Sequence, residues 1–140
     1  MKMRRRARIV ALQALFEIDV AGHDAEVSLQ GRLQEKPLPP RDADFAHSLV
    51  FGVLEHRKRL DEMIHRLAPE WPVSELAPVA RNILRIAIHE ILADQGTPPK
   101  VAINEAVELA KEFGNDSLRR FINGVLGTVV AEKDMARKRF

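Results

Sequence analysis

The stretch PPKVAINEAVELAKEFGNDSLRRFINGVLG, Pro98 to Gly127, decides the fold. Ile103, Ala106, Val107 and Ala110 fall at i, i+3, i+4 and i+7, and Ala102, Leu109 and Phe113 widen that stripe, which is the period of an amphipathic helix. Gly114 and Asn115 suit the end of such a helix because both tolerate the left-handed backbone. Asp116 and Ser117 can cap a second helix by accepting its unpaired N–H groups. Leu118, Phe121, Ile122, Val125, Leu126, Val129 and Val130 then repeat the helical period. Gly124 and Gly127 fall inside this second helix. Each costs about 1 kcal/mol against alanine, and close approach of a neighbouring helix is the expected compensation. The stretch reads as two helices about a tight turn.

Upstream, Leu76, Ala80, Ile83, Leu84, Ala87, Ile88, Ile91 and Leu92 form a stripe so wide that its helix is expected to be central. Pro78 suits the first turn of that helix, and Arg81, Arg85 and Glu90 are its polar exceptions. The break PEWP at 69–72 precedes it, and Trp71 is expected to pack across the helix start. Before that break, a helix carrying Phe45, Leu49, Val53 and Leu54 follows a cap at Asp42 or Asp44. A charged junction, EHRKR at 55–59, is expected to separate it from a shorter helix holding Leu60, Ile64 and Leu67. KPLPP at 36–40 is a rigid connector. A weaker helix around Val27, Leu29 and Leu33 precedes it. Gly22 closes a first helix anchored by Ile9, Leu12, Leu15, Phe16 and Val20, and a charged tail runs from Glu132 to Phe140. Nothing alternates with the period of a strand. The expected architecture is all-α, a compact bundle of six to seven helices in two small helical subdomains, roughly 1–72 and 73–140.

A chain of 140 residues, 46% hydrophobic and 30% charged, has globular rather than disordered composition and the length of one domain. The absence of cysteine excludes disulfides and thiolate chemistry. No apolar run reaches the length of a membrane span, and the basic start leads into an amphipathic stretch, not a signal sequence. A cytoplasmic protein with no membrane association is expected.

Charge is unevenly placed. Lys2, Arg4, Arg5, Arg6 and Arg8 give the first eight residues +5, so the rest of the chain carries −3 within a net +2. At 100° per residue the arginines spread around the helix axis instead of sharing one face. A helix N-terminus is already partially positive, so the cluster repels both the helix dipole and itself. A bound phosphate chain relieves that repulsion, which points to a local polyanion site. The competing reading is a solubilising basic arm.

Catalytic patterns are missing. His23, His47, His56, His65 and His89 make no i, i+4 pair, so no metal site is expected. The chain has no GxSxG, P-loop or GxGxxG, and Glu105 with Glu108 reads as ordinary helix-surface charge. No enzyme and no cofactor are expected. Phe113 and Phe121 flank the GNDS turn beside Arg119 and Arg120. Periodicity assigns both rings to the core, although RNA readers often stack unpaired bases on such aromatics.

RRRAR and ALQALFE at the start, LVFGVLEHR at 49–57, NILRIAIHEIL at 82–92, VAINEAVELAKEFG at 101–114 and DS…FINGVLG thereafter together resemble the NusB family. The resemblance covers nearly the whole chain in order. It implies a single NusB-like RNA-binding domain over residues 1–140, non-enzymatic, acting in transcription antitermination. It further implies pairing with NusE and binding of the single-stranded boxA element of ribosomal RNA transcripts, with other Nus factors and RNA polymerase completing the complex. Family members are monomers or homodimers. Carried onto this chain, the arginine-rich motif falls on Arg4, Arg5, Arg6 and Arg8, beside Lys2. The second part of the RNA surface falls on Phe113, Asp116, Ser117 and Phe121, near Arg119 and Arg120. The alternative function is a self-associating helical scaffold with an incidental basic arm.

Overall fold

The structure, a computed structural model, describes residues 2–93 and 96–133. Among the described residues six α-helices run in order: α1 (Lys2–Ala21), α2 (Ala25–Glu35), α3 (Pro40–Leu67), α4 (Pro78–Leu92), α5 (Pro99–Phe113) and α6 (Asp116–Ala131), with a 3₁₀ turn at Val73–Glu75 before α4. No strand occurs among the described residues. The all-α expectation holds. Most of the charged tail, residues 134–140, lies outside the described residues.

The chain divides into two compact units, Met1–Glu55 and His56–Phe140. The division falls inside α3, not at the PEWP break. The charged EHRKR junction does not interrupt α3, which is one continuous helix of 28 residues. The EHRKR junction contains no proline, and glutamate, lysine and arginine are good helix formers, so charge alone does not break the helix.

In the first unit, α1 packs against α2. The buried face of α1 carries Ala7, Val10, Ala11, Leu12, Ala14 and Leu15, and its three alanines permit close helix approach. Phe16 and Val20, expected as anchors, lie on the exposed side of that face. Gly22 ends α1 with φ +69°, where a side chain is strained. Asp24 caps α2, its carboxylate accepting from the Val27 N–H at 3.1 Å. Arg32 of α2 donates to Glu17 of α1.

In the second unit, α4 packs on both α5 and α6, and α5 packs on α6. Every residue of α4 from Asn82 to Leu92 is buried, in accord with its wide stripe. Ile83, Leu84, Ile86, Ile88 and Ile91 are almost wholly enclosed, each contributing about 1.5–3 kcal/mol by burial. Its polar exceptions are all engaged. Arg85 donates Nε and one terminal N–H to Asp61 at 2.8 and 2.9 Å, and the other terminal nitrogen to Asn82 Oδ1 at 3.2 Å. Glu90 accepts from Thr97 at 3.0 Å. Arg81 donates to the carbonyls of Ser74 and Leu76, joining the 3₁₀ turn to α4.

Three local expectations change. Trp71 is 56% exposed and is not part of the buried core. Gly124 and Gly127 lie on the exposed side of α6, where an added Cβ meets nothing within 4 Å, so no close helix approach accounts for them. Gly114 has φ −138°, outside the left-handed region. It is required for space: a Cβ there overlaps Leu118 Cδ2 and comes within 2.9 Å of the Ala110 carbonyl oxygen.

Candidate nucleic-acid interface

Two clusters carry the residues singled out from the sequence, one in each unit. The first is the opening of α1. Its first turn contains no acid, so the dipole and the side chains add to one positive field. Lys2 is the first residue of α1, and its side chain lies outside the description.

Arg4 and Arg8 are one turn apart and share a face. Both guanidinium groups lie over the ring of Phe45, with Arg4 at 3.9 Å and Arg8 at 5.1 Å from the centroid. Phe45 is buried, so it presents a fixed aromatic face to both cations. Such a contact stabilises by about 0.5–1 kcal/mol at an exposed site and about 2 kcal/mol when desolvated. Arg8 takes the desolvated position, only 3% exposed. Arg4 is half-buried, while Arg5 and Arg6 are exposed. The four arginines therefore do different work: Arg8 is sealed within the unit, and Arg4 is held at its surface. Arg5 and Arg6 face solvent. Phe45 was legible only as an apolar residue of α3. Nothing in the local pattern couples it to arginines some forty positions earlier.

The second cluster is the α5–α6 turn. Phe113 ends α5 and is 37% exposed, and Phe121, one turn into α6, is half-buried. Asn115, not Asp116 or Ser117, caps α6: its side-chain oxygen accepts the Leu118 N–H at 2.8 Å. That leaves the Asp116 and Ser117 side chains exposed at the first turn of the helix. Arg119 lies 3.6 Å from Asp116, and Arg120 is exposed. Space at Gly114 sets the approach of α5 to α6 and so the position of the Phe113 ring. The turn thus combines an accessible ring, two arginines and small hydrogen-bonding groups. These suit stacking and edge contacts with an unpaired base.

No group of histidine, aspartate and glutamate capable of holding a metal occurs among the described residues. No described helix is long and apolar enough to cross a membrane.

Comparison with known proteins agrees over nearly the full length. Residues 5–131 match the NusB family. The chain is 52% identical over 129 residues to the transcription antitermination protein NusB of Chloroflexus aggregans, covering 91% of this chain and 86% of that protein. Its fold is similar to that of T. maritima NusB, with a TM-score of 0.86 at 30% identity and coverage of 98% and 97%. It also superimposes, with a TM-score of 0.86 at 24% identity and coverage of 94% and 98%, on a structure of the antitermination factors NusB and NusE in complex with double-stranded RNA.

Proposed function

This chain belongs to the NusB family, and from that premise we propose how it acts in transcription antitermination: as a non-enzymatic adaptor that holds single-stranded boxA RNA of ribosomal transcripts jointly with NusE. The carrying observation is the acid-free first turn of α1, with Arg5 and Arg6 exposed and Arg4 held over Phe45. A guanidinium already ordered on a ring loses less freedom on meeting phosphate than a free one does. Arg4, Arg5, Arg6 and Lys2 neutralise phosphates, while Arg8 fixes Phe45 beneath them. At the α5–α6 turn, Phe113 stacks on a base with Phe121 supporting it. Asp116 and Ser117 contact base edges, and Arg119 and Arg120 engage phosphate. The complex with NusE then joins other Nus factors on RNA polymerase in the cytoplasm.

The test is fluorescence anisotropy of labelled boxA RNA, scrambled RNA and a boxA duplex, each with and without NusE. The duplex arm is included because the similar solved complex holds double-stranded RNA. Preference for single-stranded boxA, strengthened by NusE and lost in an Arg4→Ala, Arg5→Ala, Arg6→Ala variant, is expected. Equal weak binding to all three RNAs despite NusE overturns the reading and favours a self-associating scaffold.

A further inference from the structure

Within the first unit a groove of about 430 Å³ is lined by Arg6, Ile9, Lys36, Pro37 and Leu38. That volume lies within the ~300–1,000 Å³ of sites that enclose small ligands. One wall is α1, where Arg6 and Ile9 stand at i and i+3 and leave the helix on one face. The other wall is the connector from α2 to α3. Lys36 ends α2 with its N–H bonded to the Arg32 carbonyl at 2.9 Å. Pro37, Pro39 and Pro40 follow around Leu38, and their rings restrict φ, so this wall is stiff before any ligand arrives.

The chemistry of the groove is two-sided. Arg6 and Lys36 are exposed, and among the described residues neither side chain has an ion-pair partner. Ile9, Pro37 and Leu38 supply an apolar floor between them. A bare anion uses the cations and leaves the floor wet, and an apolar peptide uses the floor and leaves two charges to desolvate. A nucleotide uses both, since it joins a phosphate to a flat ring with an apolar face. The groove is also continuous with the arginine cluster, because Arg6 belongs to each.

We propose that this groove is a nucleotide subsite for single-stranded RNA, in which Arg6 and Lys36 hold one phosphate and the attached base lies over Ile9, Pro37 and Leu38. The assignment rests on the RNA-binding reading given above. It adds Lys36 and the α2–α3 connector to the interface. The floor side chains carry no hydrogen-bonding groups, so the subsite adds affinity and directs the strand without selecting base identity.

The experiment uses the full chain and labelled boxA RNA, with anisotropy measured across a salt series for Lys36→Ala, Lys36→Arg and Arg5→Ala. In parallel, boxA RNA carrying 4-thiouridine is photocrosslinked and the attached peptide is sequenced. Lys36→Ala is expected to weaken binding roughly three- to tenfold and to flatten the slope of log affinity against log salt by about 0.7. Lys36→Arg should restore both, and crosslinks should fall within residues 36–38. Wild-type affinity and slope for Lys36→Ala, alongside weakened binding by Arg5→Ala, overturn the subsite and leave the RNA reading standing. No change in either variant removes both.

Discussion

Replacing Arg8 and Arg5 separately by alanine distinguishes an arginine that builds the site from one that touches RNA. Each phosphate neutralised on a single strand contributes roughly 0.7 to the slope of log affinity against log salt. Counting Lys2, Arg4, Arg5, Arg6 and Arg8 as contacts, the arm alone gives a slope of about −3.5. With Arg8 only 3% exposed and its guanidinium over Phe45, its share disappears and the arm gives about −2.8. Arg5→Ala should therefore flatten the slope by about 0.7 with little effect on stability. Arg8→Ala should leave the slope within about 0.2 of wild type. It should instead lower the unfolding free energy by about 1–3 kcal/mol, through the lost desolvated cation–π contact and the packing of a buried alkyl stem. The assays are anisotropy titrations from low to moderate salt and urea denaturation of the same samples. An Arg8→Ala slope change equal to that of Arg5→Ala refutes the reasoning, because it means that Arg8 reaches phosphate.

Two further outcomes follow from packing. Asp61→Ala removes the carboxylate that pairs with the Arg85 guanidinium, whose side chain is 4% exposed, and Asp61 itself is 27% exposed. Water partly replaces the carboxylate, so urea denaturation should show a loss of about 3 kcal/mol, the low end for a broken buried pair. Arg85→Met should cost less, since the Asp61 carboxylate left behind is partly exposed and still 4.0 Å from Arg57, and a larger loss for Arg85→Met contradicts the account. Gly124→Ala and Gly127→Ala should each stabilise by up to about 1 kcal/mol, since both positions are helical and open. Gly114→Ala should destabilise by about 1–3 kcal/mol through its clash with the Ala110 carbonyl and Leu118. Equal melting shifts at all three glycines would show that helix propensity, not space, governs them.

The sequence by itself determined the helices and the order in which they occur. Apolar spacing is a direct consequence of backbone geometry, so α4, α5 and α6 were legible to within a residue or two, and so was the central burial of α4. It also pointed to a polyanion partner, because clustered arginines at a helix start need no tertiary contact to repel one another. The exception is EHRKR, read from the sequence as a junction between two helices although α3 runs through it unbroken, because a charged run can be the exposed face of a helix as readily as its end. Only the tertiary structure decided which side chains meet. It placed Phe45 beneath Arg4 and Arg8, paired Asp61 with Arg85, made Asn115 the cap of α6, and left Trp71, Gly124 and Gly127 in the open. Periodicity gives the direction a side chain leaves its helix. What it meets there depends on residues far away in the chain, and no local pattern encodes them.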